Sequence, residues 1–206
     1  VSQAQLDIAQ SIAQENKVEN ISFKQISAFD IDELEVKFDL IYCRFVLAHL
    51  SAVSEVINKI TKIMHSSSVL ICEEPNGAGT LYCKPLDPVF EKWKLAALKQ
   101  VEISKANFTI GLSLHGIFSV NNLTTISKRK VQAKLNTSEL KQQLWLGVVE
   151  ISCLLVDSGF ASLEEIQQLV MSLKDFAKDS DSDVGYLECT QIAAKLENIP
   201  RKNLVP

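Results

Sequence analysis

Apolar positions along the chain fall into stripes and short runs that alternate between helical and strand periods. Leu6, Ile8, Ala9, Ile12 and Ala13 share one stripe, with Ser2 as an N-cap and Gln5 at the capping-box position, so residues 3–16 read as an amphipathic helix. Val18, Ile21, Phe23 and Ile26 alternate in part and predict a strand over 18–26; an acidic loop or helical turn covers 27–37. Phe38-Asp39-Leu40-Ile41-Tyr42-Cys43 is a nearly continuous apolar run of strand length. Val53, Val56, Ile57, Ile60, Ile63 and Met64 then recur at helical spacing, and His65-Ser66-Ser67-Ser68 reads as a polar turn. Val69-Leu70-Ile71-Cys72 is a second buried strand that stops at Glu73, Glu74 and Pro75. Strand, crossover helix and strand here occupy about the minimum length for parallel pairing. Ligands of open parallel sheets bind beyond the carboxyl ends of the strands, which places interest on Cys43-Arg44 and Glu73-Glu74.

Downstream the pattern becomes more helical. Residues 75–85, with two glycines and two prolines, read as a loop over the ligand end. Helices are predicted over 87–104, 111–118, 138–156 and 163–178, the last behind a capping box of Ser162 and Glu165. Strands are predicted over 123–135 and 185–196, with an acidic linker at 179–183 and a frayed tail from Pro200. This divides the chain into an α/β core (1–135), a helical cap or dimerisation element (136–183) and a returning core strand with the tail (184–206).

Composition narrows the classes. Apolar and charged fractions of 47% and 22% are those of an ordinary globular protein. A formal charge of −4, with Lys128-Arg129-Lys130 as the only basic cluster, argues against nucleic acid as a partner. No apolar run reaches the length of a membrane span. Five cysteines, without a CxxC pair and two of them inside apolar runs, argue for a reducing, cytoplasmic setting and against structural zinc. Three histidines show no metal-ligand spacing, and no G-x-S-x-G elbow occurs.

The order FDLIYCRFVLAHL, crossover helix, short turn and VLICEEPN, preceded by VSQAQLDIAQSIAQENKVENISFKQISAFDI, resembles the central part of a class I S-adenosylmethionine-dependent methyltransferase of the small-molecule branch. The resemblance implies a Rossmann-like, mostly parallel sheet with helices on both faces, here without the family's first two strands, and S-adenosyl-L-methionine as cofactor. The glycine-rich cofactor loop and the ribose-binding acid of that family are absent from the sequence, and Ser27 stands where an acid is usual near the adenine. The chain opens at Val1 and is read as part of something longer. Without further strands, 18–26 would have no neighbour and 38–43 would show an open apolar edge, so the missing strands, or a rearrangement or swap of the first 35 residues, are expected.

By the same resemblance Ser27, Ala28, Phe29, Cys43, Arg44 and Phe45 are candidates for cofactor binding. Arg44 could instead be a surface residue paired with Glu73 or Glu74. His49, Glu73 and Glu74 are the candidates for acid–base chemistry, with Glu73, Glu74, Tyr82 and Phe118 as candidate substrate contacts. Adjacent strand residues point to opposite faces, so at most one of the two glutamates can face a reacting group. Trp93 and Trp145 read as core, His115 as structural. The implied reaction is methyl transfer to a small molecule; the alternative is a non-catalytic, methyltransferase-like module working through protein contacts, with a homodimer as one form.

Overall fold

The computed structural model describes residues 2–197; the expected frayed tail from Pro200 lies outside them. Five strands form one mixed sheet: β1 (Phe38–Arg44), β2 (Met64–Pro75), β3 (Tyr82–Lys84), β4 (Leu123–Lys134) and β5 (Asp183–Leu196). β1 and β2 pair in parallel across the crossover helix α2 (Val53–Lys62). β5 is antiparallel to β2, β3 and β4, so the expected mostly parallel sheet is corrected to one with a single parallel pair. The cause is β5, which returns after the cap helices and inserts between β2 and β4. It runs past the end of β2, and there its free edge takes up the short β3, which the sequence pattern did not reveal.

α2 is held by its stripe: Val53, Val56, Ile57 and Ile60 are buried against Leu70, Cys72, Ile192 and Ala194 of the sheet. α4 (Leu114–Val120) joins the same face through Leu114 and Phe118. The opposite face is less covered, with Leu40 and Tyr42 of β1 exposed by 59% and 58%. α1 (Gln3–Glu15) buries no residue, and 18–26 does not form the expected strand. The open apolar edge expected for β1 is present, for β1 pairs with β2 alone among the described strands.

A second core gathers beyond the carboxyl ends of β1 and β2. It joins α3 (Pro88–Ser104), α5 (Ser138–Glu150), α6 (Ser152–Asp157) and α7 (Leu163–Phe176) to Leu81, Val184 and Leu187. Local signals set the ends of these helices. Asp87 caps α3, accepting the amides of Val89 at 2.7 Å and Phe90 at 3.2 Å, with Pro88 in the first turn. Ser162 and Glu165 form the expected capping box of α7. The helix expected over 138–156 breaks at Ile151 into α5 and α6, and the polar turn expected at 65–68 belongs to β2. There Ser68 is buried and its hydroxyl donates to the Phe38 carbonyl, which lets a polar run join the sheet across an irregular register.

Candidate active site

Chain direction changes sharply where β1 ends. Phe45 donates its amide to the Glu73 carbonyl at 3.0 Å and takes φ of +51°, a left-handed conformation that is costly for a residue with a Cβ. Val46 then leads into a 3-10 turn at Leu47–His49, whose first bond is donated by the His49 amide to the Val46 carbonyl at 3.0 Å, so the amides of Val46, Leu47 and Ala48 need other acceptors. Glu74 supplies one. It is fully buried, and its carboxylate accepts the amides of Val46 at 3.0 Å, Leu47 at 2.8 Å and Ala48 at 3.2 Å. The Cys43 thiol lies 3.7 Å from the same carboxylate. A carboxylate that satisfies three backbone donors holds a strained turn in place.

Glu73 lies on the other face of the sheet, as strand alternation requires. It accepts from Arg44 Nε at 3.1 Å and Gln191 Nε2 at 2.6 Å. Arg44 thus has the paired surface arrangement, with its guanidinium carbon 5.7 Å from the Phe45 ring centre. Asn76, next along from Pro75, locks the end of β2 to β5: it donates to Glu188 at 2.9 Å and accepts from Thr190 at 2.8 Å. Gly111 passes so close that a Cβ there would meet the carbonyl oxygens of Glu74 and Pro75 at 2.5 Å and 2.8 Å. The EEPN run is therefore the structural keystone of the sheet end, with one glutamate facing each way.

Beyond this keystone lies a cavity of about 260 Å³ between the sheet end and the cap helices. Phe45, His49, Trp93, Phe108 and Tyr186 wall it, with Gln100 and Glu150 as polar groups. His49 meets Phe108 edge to face at 5.9 Å, and Trp93 lies 6.1 Å from Tyr186. Burial pushes the Tyr186 phenol above its ordinary pKa, with Cys189 adding to the effect.

Of the sequence candidates, His49 and Phe45 line this cavity, while Glu73, Glu74, Tyr82 and Phe118 do not. Phe118 is fully buried in the first core, which corrects its reading as a substrate contact. Tyr82 covers Gly185 across the β3–β5 pair and donates to Asp183 at 3.2 Å, so it too serves the sheet. Glu74 is corrected in the same way: its oxygens are committed to backbone amides and the Cys43 thiol. Ser27 caps the 3-10 turn at Ala28–Leu34, accepting from Phe29, while Ala28 and Phe29 pack on the first core. Trp93 is core, as read, and also a cavity wall; Phe108, Tyr186, Gln100 and Glu150 were not singled out in the sequence. Only the aromatic residues could have drawn notice there, and their strand and helix surroundings marked them as packing. Among the described residues no cluster of His, Cys, Asp or Glu could hold a metal.

Known proteins decide the family. The profile described as a methyltransferase domain matches residues 1–142, more than two thirds of the chain. The chain belongs to the methyltransferase-domain family. It is 26% identical over 88 residues to the uncharacterized methyltransferase YcgJ of Bacillus subtilis, covering 43% of this chain and 32% of that protein. It therefore spans about a third of that relative's length in the match. Solved structures share the fold at low identity. A candidate methyltransferase from Bacillus halodurans has a TM-score of 0.55 at 12% identity, covering 96% of this chain and 80% of the other. The cyclase SpnF has a TM-score of 0.56 at 15% identity, covering 96% and 65%. These structures share the fold, and the cyclase among them shows that the fold alone does not determine a reaction.

Proposed function

We propose that the protein transfers a methyl group from S-adenosylmethionine to a small molecule held in the cavity beyond β1 and β2. The observation that carries this reading is the position of that aromatic-walled cavity, at the carboxyl ends of the parallel pair and under the cap helices. The cofactor complexes among the fold neighbours, such as coclaurine N-methyltransferase with S-adenosylhomocysteine, support the choice of methyl donor.

The residues present fit one side of such a cofactor. The strained Phe45 turn, fixed by Glu74, offers an aromatic ring and backbone at the end of β1, with Arg44 and Cys43 beside it. No glycine-rich turn of the family type occurs in the chain, so Cys43–Phe45 would supply only this wall. When bound, the cofactor supplies an electrophilic methyl on a sulfonium. The protein's own contribution is to orient the acceptor between Trp93, Tyr186 and Phe108, and to exclude water from it. His49, exposed at the cavity wall, is the candidate to relay an acceptor proton. Four of the five free cysteines are buried, which supports a reducing, cytoplasmic setting. Among the described residues no helix is long and apolar enough to cross a membrane.

The test is calorimetric titration of S-adenosylhomocysteine into the 206-residue chain. Saturable binding that weakens in Phe45→Ala is expected; no binding at millimolar ligand would sink the cofactor site. The second reading, a protein-interaction module, is favoured by the exposed apolar edge of β1. It predicts that the same titration is flat.

A further inference from the structure

We infer that the acceptor taken by this cavity is a small amine, recognised as an ammonium by aromatic faces and one carboxylate. The inference rests on the reading of the cavity as the acceptor site and names its substrate class. Four rings, Phe45, Trp93, Phe108 and Tyr186, wall the space, and Glu150 is the only carboxylate among the lining residues. No Lys or Arg lines it among the described residues. Arg44, the nearest guanidinium to the Phe45 ring, is held by Glu73 on the other face of the sheet. An anionic acceptor would enter such a site with no cation to meet it. A neutral apolar one would leave Glu150 and Gln100 without a use. An ammonium matches both parts, since ring faces attract cations and Glu150 stands at the carboxyl end of α5 with its side chain open to solvent. The volume of about 260 Å³ lies just below the range of drug-sized ligand sites, so the amine is small.

The chemistry agrees with the electrostatics. The bound ammonium first gives one proton to water, with His49 of the cavity wall as the candidate relay; the lone pair so freed forms the new N–C bond as the S–C bond of a sulfonium methyl donor breaks. Positive charge leaves sulfur, which ends as a neutral thioether, and appears on nitrogen. Ring faces and a carboxylate around the nitrogen favour both the bound ammonium and the methylated product, and relative to the deprotonated amine they stabilise the charge that develops as the bond forms.

The test uses the full chain carrying Trp145→Phe, so that Trp93 is its only indole. Its fluorescence is titrated with choline, with the uncharged isostere 3,3-dimethylbutan-1-ol, and with 3,3-dimethylbutyrate. Choline is expected to bind about tenfold more tightly than the isostere, the anion least of all. Glu150→Gln is expected to weaken choline severalfold and leave the isostere unchanged; the exposed position of Glu150 keeps that variant folded. Equal binding of choline and isostere, or a Glu150→Gln variant without effect on choline, overturns the inference. Titration of S-adenosylhomocysteine into the same protein reads the cofactor site separately. Cation selectivity without cofactor binding would refute only the methyl-donor reading; cofactor binding without cation selectivity would refute only this one.

Discussion

Replacing Glu74 tests whether one buried carboxylate holds the cavity turn. In Glu74→Gln the side chain keeps its shape and one oxygen. That oxygen can still accept from Val46 and Leu47, which now share Oε1 at 3.0 Å and 2.8 Å. The new amide nitrogen faces the Ala48 amide, so one buried donor loses its acceptor. An unsatisfied buried group costs about 1–3 kcal/mol, and the two remaining bonds lose their charge assistance. The carboxylate's desolvation penalty is removed at the same time and offsets part of this loss. The net expectation is about 2 kcal/mol, or roughly 4–8 °C in Tm for a chain of this size. Glu74→Ala strips all three amides and opens a void, so it should cost about 3–5 kcal/mol, near the limit that a marginally stable domain survives. The control is Glu73→Gln, whose partner Arg44 is 60% exposed; such a pair is worth about 1 kcal/mol or less. Urea denaturation of the four proteins, followed by Trp fluorescence, measures the differences. If Glu74→Gln were within about 0.5 kcal/mol of the parent, or no worse than Glu73→Gln, the keystone argument would be wrong.

Four further outcomes follow from other parts of the fold. Gly111→Ala should unfold the chain or lower its Tm by more than 10 °C, roughly, because the new Cβ meets backbone oxygens of β2 that cannot rotate away; Gly116→Ala, with nothing within 4 Å, is the matched control in the same thermal melt. Lys141 is fully buried, donating to Ser182 at 2.7 Å and to the Asp179 carbonyl. Lys141→Ala should cost about 3 kcal/mol in urea denaturation, and Lys141→Met, which refills the volume, clearly less; equal losses would show that the hydrogen bonds rather than packing are at stake. Iodoacetamide at pH 8 should modify exposed Cys153 rapidly and leave the four buried thiols intact, as read by mass spectrometry. Burial raises the Cys189 thiol to about 11, so the folded state keeps a proton that the unfolded chain loses from about pH 9; stability should fall as pH rises from 9 to 11, and Cys189→Ala should flatten that slope.

Much of the architecture was legible because it is written in local periodicity. The stripe of α2, the apolar runs of β1 and β2, and the Ser162–Glu165 capping box each announce themselves within a dozen residues. Strand 18–26 was misread because alternation states only that a segment could pair; among the described residues it joins no sheet. The direction of β5 was not legible either. Nothing in Tyr186, Leu187, Cys189 and Ile192 tells whether their strand runs with or against β2, since that depends on how the cap helices return the chain. The break at Ile151 likewise follows from packing three cap helices on one core rather than from a proline or glycine at the break.

The site was legible to a lesser degree, and Glu73 and Glu74 show why. Their position at the end of a buried strand drew attention to them, and chemistry was the natural inference from two carboxylates at a ligand-binding edge. The structure turns one toward a surface arginine and the other toward three backbone amides. Their importance is real but indirect: Glu74 fixes the turn that presents Phe45 and His49 to the cavity. The groups that wall the cavity come from six separate stretches, around Phe45, Leu81, Trp93, Phe108, Glu150 and Tyr186. No spacing rule joins them, because the cap helices bring them together only once the second core has formed. A substitution that loosens that core without touching the cavity, such as Leu155→Ala at a fully buried position of α6, should therefore weaken ligand binding at Trp93 as well as stability. If choline binding to the folded variant were unchanged while stability fell by the 2–5 kcal/mol or so usual for such a cavity, the site would have to be rigid independently of the cap. The sheet end, held by Glu74, Asn76 and Gly111, would then be the whole of its scaffold.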